Sequence, residues 1–407
     1  MSIKGGQILH IAGGPTAMFV VDRIQTGGVT GININEDRLE ELGNYEAIGT
    51  VRDIPDLTFE IQSFDVTTEL ESLLTGGDNT ESAGALFSLA NFIPIDILSP
   101  FKASGTFDVD GGVIIPFLSL ESMSYSMTLT DSATMTATLR GDSVFYTTGS
   151  TFFQVESGDG VTAAYAFDNT PAYVSTISGD DYYALSVMVH DGTAWRRQRL
   201  GTHYVNTNGG ITFQTGYIPA NAANNIKIVY SAATAQQFLQ AVHEPPPTKP
   251  SGVRGRDIYV RLGDGAATPT YTDWLGVQSA NVDWRVTLER DEEFGNPQVV
   301  AQDFDVPEVS GSVTMKPAST TALFAQVQAI AGLSGTEIAN ATQDPPELQL
   351  QIKLTDPTTG NTMKTLTVPD AKFSMPGVQG NVGQKLEQDF AFTGSSGVLN
   401  IYKGDPA

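Results

Sequence analysis

The chain contains no cysteine. That excludes disulfides, thiolate metal sites and cysteine nucleophiles, and it leaves the redox compartment undetermined. Histidine is nearly as scarce: His10, His190, His203 and His243 are the only ones, and none has a second ligand-type residue two or four positions on, so zinc and general-base sites find no support. Basic residues are also few. Lys and Arg number 22 against 46 Asp and Glu, a net charge of −24, and such a surface repels phosphate backbones and anionic lipid. Long apolar runs are missing too. Ala17 to Val21 and Val113 to Leu118 fall far short of the roughly 20 residues a membrane helix needs, and the opening Met-Ser-Ile-Lys-Gly-Gly lacks the apolar stretch of a signal peptide. The expectation is a chain that neither spans a membrane nor is exported by such a peptide.

Motifs of catalysis are equally thin. Asp108-Val-Asp110-Gly111 begins like a calcium loop, but Ser119 stands where the bidentate glutamate is required, so a hairpin turn is expected instead. Gly13-Gly14-Pro15 lacks the Gly-Lys-Ser/Thr ending of a phosphate loop, and no Gly-x-Ser-x-Gly elbow occurs. The carboxylates are too dispersed to nominate a catalytic pair. The reading is of a non-enzyme with no cofactor and no metal.

What the sequence does contain is an internal repeat. Residues 38–70 align without a gap to 290–322: Arg38 with Arg290, Glu40-Glu41 with Glu292-Glu293, Gly43-Asn44 with Gly295-Asn296, and Asp53-Ile-Pro-Asp56 with Asp305-Val-Pro-Glu308. Pro116, Leu120, Leu139 and Gly141 match Pro369, Phe373, Phe392 and Gly394 more loosely. A length of 407 residues exceeds one ordinary core, and the repeat divides it into copy 1 (1–147) and copy 2 (252–407). Between them lie an unmatched segment (148–233) and a Pro-rich linker (234–251).

Within each copy the periodicity is that of strands. Val282, Trp284, Val286 and Leu288 alternate with Asp283, Arg285 and Thr287, as Leu57, Phe59 and Ile61 alternate with their polar neighbours. Serine and threonine at every second position from 124 to 138 mark a half-exposed strand or hairpin. Thr67 to Leu74 and Ser319 to Ile330 carry N-capping residues and helical apolar spacing, so one helix per copy is expected. Residues 148–233 hold short aromatic strands between Gly/Asp/Asn turns, the pattern of a small β-sandwich. Its Arg196, Arg197 and Arg199 are expected to pair with Asp180, Asp181 and Asp191. Ala235 to Val242 suits a short helix, and Glu244 to Pro250 an extended connector. The fold class is mainly β: two tandem sandwich or barrel units, each with one flanking helix, plus the inserted sandwich.

The succession of strand Val277 to Leu288, acidic loop Glu289 to Asn296, strand through Asp305-Val306-Pro307 to Met315, and helix Ser319 to Ile330 resembles the tail tube proteins of long-tailed bacteriophages and related tailed viruses. The resemblance covers both copies and not residues 148–233. It implies a sandwich or partly closed barrel of which six form a ring, with rings stacked into the tube that conducts the genome. Two folds per chain then imply a homotrimer with pseudo-sixfold symmetry. Implied partners are further copies of the chain, a tape measure protein in the lumen, and tail terminator and distal tail or hub proteins. Viral DNA passes without specific binding, and the location is the virion tail. A tail hub or distal tail protein and a carbohydrate-binding adhesin, the latter prompted by Trp195 and Tyr182-Tyr183, remain as alternatives.

The acidic excess falls almost wholly on the two copies, which suits a channel lining that keeps phosphate mobile. Glu36, Glu40, Glu41, Glu60, Glu289, Glu292 and Glu293 are the lumen candidates. The loops Glu36 to Asp53 and Glu289 to Asp305 are too long for tight hairpins and are expected to stack ring on ring. Leu39, Leu42, Tyr45 and Ile48, with Phe294, Val299 and Val300, are the expected anchors, exposed in a lone ring and buried in a stack. The inserted module is expected to project outward and to be dispensable for assembly.

Overall fold

A computed structural model of the chain describes residues 10–12, 18–20, 24–33, 36–39, 49–52, 54–64, 67–76, 82–89, 93–102, 109–147, 151–168, 171, 175–177, 180–231, 252–266, 268–292, 298–299, 301–333, 344–374 and 387–406. The protein is mainly β. Seventeen strands are hydrogen-bonded into one connected antiparallel sheet. Its long axis runs Ile24–Asn33, Asp56–Phe64, Thr134–Gly141, Val109–Thr128, Val277–Arg285, Glu308–Met315 and Gln388–Gly394. It continues through Thr362–Phe373, Leu348–Thr355 and Ile258–Gly263 to Tyr271–Asp273.

The strand Val109–Thr128 serves two neighbourhoods. Its first part pairs with Ile95–Lys102 and Phe145–Thr147, and its second part with Thr134–Gly141 and Val277–Arg285. The change comes at Phe117, whose φ of 57° is a left-handed conformation costly for a residue with a side chain. Two contacts hold it there: its N–H donates to Asp96 Oδ1 at 2.9 Å, and its ring lies under the Arg197 guanidinium, 5.3 Å from the centroid.

One pairing scheme occurs twice along the chain. Ile24–Asn33 pairs with Asp56–Phe64, which pairs with Thr134–Gly141; likewise Val277–Arg285 pairs with Glu308–Met315, which pairs with Gln388–Gly394. The hairpins Glu36–Leu39/Gly49–Arg52 and Leu288–Asp291/Ala301–Phe304 hang from equivalent strand ends. Two helices follow equivalent strands, α1 (Glu69–Leu74) and α2 (Thr320–Ile330). Ser319 caps α2, its hydroxyl accepting from Ala322 N at 3.1 Å, whereas Thr68 makes no side-chain cap to α1.

Strand alternation explains the core. Leu57, Phe59, Ile61, Met123, Tyr125, Val282, Trp284, Val313 and Phe390 are buried on one face, each contributing about 1.5–3 kcal/mol. Trp284 is core, as its alternation predicts, and Trp274 joins it by stacking near Phe373 and Phe390, 5.4 and 5.6 Å between centroids. Gly311 is required in this layer: a Cβ there would lie 2.2 Å from Asn281 O and 2.6 Å from the Phe392 ring. The Asp110-Gly111 motif begins the strand Val109–Thr128 rather than forming a turn. Residues 232–251, where a helix and a connector were expected, lie outside the described residues. Among those described, no helix is long and apolar enough to cross a membrane.

The inserted segment is a small sandwich. Thr151–Gly158, Ala222–Ser231, Ala184–His190 and Trp195–Arg197 form one sheet; Ala164–Ala166, Gly210–Phe213 and Tyr204–Thr207 form another. Tyr165, Val187, Tyr204, Ile211, Phe213, Ile228 and Tyr230 fill the space between.

Candidate functional site: the polar face and the open edge of the sheet

Residues directly opposite one another in an antiparallel pair share a face, so the strand registers define what the side away from the core presents. Across the centre it carries Glu60 and Gln62, then Thr134, Thr136 and Thr138, then Ser122, Ser124 and Ser126. Asn281 and Asp283, Ser310 and Ser312, and Asp389 and Thr393 continue it. Hydroxyls, amides and carboxylates dominate. The two cations on this stretch are internally paired: Arg140 with Glu121 at 3.0 Å and Asp56 at 2.6 Å, Arg285 with Glu308 at 2.5 Å. The hydrogen bond to Glu121, opposed by partial burial and aided by Asp56, holds the Arg140 guanidinium above its ordinary pKa.

A cleft of about 730 Å³ opens beside this face, where strand end Arg285 and hairpin base Leu288 meet residues of the first half. Asp56 bridges it, accepting from Arg140 and, at 2.8 Å, from Arg290, which also donates to Gly141 O at 3.0 Å. Its guanidinium groups are engaged by carboxylates of the same chain, an arrangement that stiffens a junction more than it prepares a substrate site. Among the described residues no group of three or more His, Asp or Glu is placed to hold a metal ion.

The joint between the halves is formed by backbone pairing. Ser122 to Thr128 lie opposite Arg285 to Ser279, with Tyr125 facing Val282 and Met123 facing Trp284. Val282 and Trp284 are fully buried as a result. The strand that holds the same place in the first half, Ile24–Asn33, pairs on one side only among the described residues. Its Val29 faces Phe59 as Val282 faces Gly311, and its Ile32 faces Leu57 as Trp284 faces Val309. Yet Val29 is 37% and Ile32 48% exposed, against 0% for both counterparts. A sheet edge whose core-side residues are uncovered is a template for another strand.

The inserted module is tied down by buried charge. Lys227 reaches Asp96 at 2.6 Å and Arg197 reaches Asp142 at 2.7 Å, all four side chains no more than 3% exposed. Leu185, Val229 and Phe153 pack with Ile114 and Phe145, and Met188 and Trp195 with Phe117 and Val299. Arg196 pairs with Asp191 as expected, at 2.7 Å, but Arg197 pairs across the module boundary. Trp195 is buried beside Arg197, so it is no exposed platform for a sugar.

The residues singled out from sequence are placed unevenly. Glu60 lies half-buried on the polar face; Glu289 and Glu292 are exposed on the second hairpin. Glu36 and Leu39 fall in the strand Glu36–Leu39, while Glu40, Glu41, Leu42, Tyr45, Ile48, Glu293, Phe294 and Val300 lie outside the described residues. Val299 needs correction. It is 0% exposed in the single chain, against Phe117, Met188 and Trp195, with its N–H donating to Asp142 Oδ2 at 2.7 Å. A stacking anchor must be free before stacking, and Val299 is not. Sequence reading missed Asp96, Asp142 and Glu71; Asp96 alone carried a signal, as an acidic residue inside the apolar run Ile93 to Leu98, while Asp142 and Glu71 stand among polar neighbours. No protein-family model matches the chain, and no curated protein matches it.

Proposed function

We propose that the chain is a structural building block of a viral tail tube: a homotrimer closing a pseudo-sixfold ring, with rings stacked around a channel that conducts DNA. The burial contrast between Val29 with Ile32 and Val282 with Trp284 carries this reading. One joint between tube folds is made inside the chain, and its counterpart edge waits for another copy. A head-to-tail contact of this kind generates a ring when its rotation closes. The continuous polar face supports the channel, because hydroxyls with carboxylates Glu60, Asp283 and Asp389, and cations already paired, give phosphate nothing to grip. A tape measure protein before DNA exit, and terminator and distal tail proteins at the ends, are the partners this role requires. No enzymatic activity is proposed.

Negative-stain microscopy and sedimentation of the purified chain test the proposal, with annular particles of three chains or tubes built from them as the expected result. Val29→Asp with Ile32→Asp should fold and stay single. A chain that remains monomeric at every concentration, or a ring of six full-length chains, would overturn the reading. A lone ring that never stacks would favour a tail hub or distal tail role.

A further inference from the structure

The two helices hold equivalent places in the chain but live in different surroundings. Every residue of α1 from Leu70 to Leu74 is buried. Its cover comes partly from the second half of the chain: the Lys364 ammonium meets the Glu71 carboxylate and, at 3.2 Å, Thr67 O. The strand Leu86–Ser88, just beyond α1, adds to the edge of Asn400–Lys403. In α2, by contrast, Phe324 is 61% exposed, and Thr321, Ala325 and Ala329 are exposed with it. Beside the helix, Gln326 holds the turn whose Leu275 is 77% exposed, its amide donating to Leu275 O at 3.5 Å.

The composition of α2 sharpens the contrast. Thr320–Ile330 contains no charged residue, in a chain whose net charge is −24. A helix that faces water permanently is ordinarily studded with charge, and an uncovered apolar face rimmed by polar groups marks a contact surface. The receiving side is open as well. Phe145–Thr147 stands against Val109–Thr128 as Asn400–Lys403 stands against Thr362–Phe373, and Tyr146 on it is 75% exposed.

We infer that the exposed face of α2 is the surface by which one chain docks onto the first half of a second copy, around Phe145–Thr147, reproducing between chains the cover that α1 receives within the chain. This rests on the ring reading above and adds to it a named surface and a chemistry. In sequence Glu71 matches Leu323 and Lys364 matches Gly111, so no counterpart of that ion pair is available between copies. The contact between chains is built on the exposed Phe324, Ala325 and Ala329.

The test uses the full-length protein and two substitutions. Phe324→Asp changes a residue exposed in the single chain, so circular dichroism and the thermal midpoint of the dissociated chain should match the wild type. Association should weaken about ten- to a hundredfold per joint, the range expected for withholding one large apolar side chain from burial. Because the chain lacks cysteine, Tyr146→Cys with Ala325→Cys, both exposed in the single chain, gives a clean cross-linking pair; a short bismaleimide should join different chains in assembled samples and none in dilute ones. Rings forming from Phe324→Asp at wild-type concentration, or cross-links confined to single chains, would refute the inference while leaving the ring intact. A wild-type chain that never associates would bring down both.

Discussion

Replacing Lys364 with Met removes a charge from a fully buried ion pair between the two halves. Lys364 and Glu71 are both 0% exposed, and the Tyr125 hydroxyl donates to the same Glu71 oxygen at 2.7 Å. Met fills nearly the volume of the lysine stem, so the loss is electrostatic: Glu71 keeps Tyr125 and loses its only described cation. Stranding one partner of a buried pair costs about 3–5 kcal/mol, because the remaining charge has neither water nor counter-ion. In a chain of 407 residues that lowers the thermal midpoint by about 4–6 °C. The double variant Lys364→Met with Glu71→Gln should recover most of the loss, since a neutral amide still accepts from Tyr125. Urea unfolding followed by tryptophan fluorescence reads the effect through Trp274 and Trp284. A double-mutant cycle then separates the pair from the packing of its members. If the single variant unfolds at the wild-type midpoint, or the double is no better than the single, the pair is not what joins the halves.

Gly311→Ala should destabilise the chain by about 1–3 kcal/mol or more, since its Cβ would fall 2.2 Å from the backbone oxygen of Asn281 and the sheet must part to admit it; the midpoint of urea unfolding measures this. Excising residues 151–231 behind a short linker should yield a chain that aggregates or unfolds, because Asp96 and Asp142 lose Lys227 and Arg197 while remaining in an apolar seam. A soluble remainder with a cooperative transition in calorimetry that still assembles would bear out the expectation that the module is dispensable for assembly. Asp96→Asn with Asp142→Asn in the excised chain should improve its yield if the stranded charges are the cause.

Strand periodicity made much of the fold legible. Serine and threonine alternating with apolar residues from 124 to 138 became the second part of Val109–Thr128 and the strand Thr134–Gly141, and Ser319 became a true helix cap. Pro357-Thr-Thr-Gly360 lies in the turn between Leu348–Thr355 and Thr362–Phe373, with Gly360 at φ +72°. Partners were harder. Alternation says which residues face the core but not which strand lies alongside, so nothing local announced that Ser122 to Thr128 would meet Val277–Arg285. The same limit misdirected Arg197. Nearby aspartates were the economical choice in sequence, while its partner Asp142 is 55 residues away. Val299 failed for a related reason: an apolar residue in a long acidic loop looks like an anchor for another molecule, and here the inserted module of the same chain covers it.

The position of Val299 also changes what the inserted module does. Val299 lies between the hairpin strands Leu288–Asp291 and Ala301–Phe304, and it is held from two sides, by Asp142 of the first half through its N–H and by Met188 and Trp195 of the module through its side chain. Asp142 in turn takes both of its guanidinium contacts from Arg197 of the module, at 2.8 and 2.7 Å. Module, first half and second hairpin therefore meet on one carboxylate. The hairpin Leu288–Asp291/Ala301–Phe304 is thus braced by the inserted module of its own chain, and removing Trp195 or Arg197 should loosen that hairpin before it loosens the sheet.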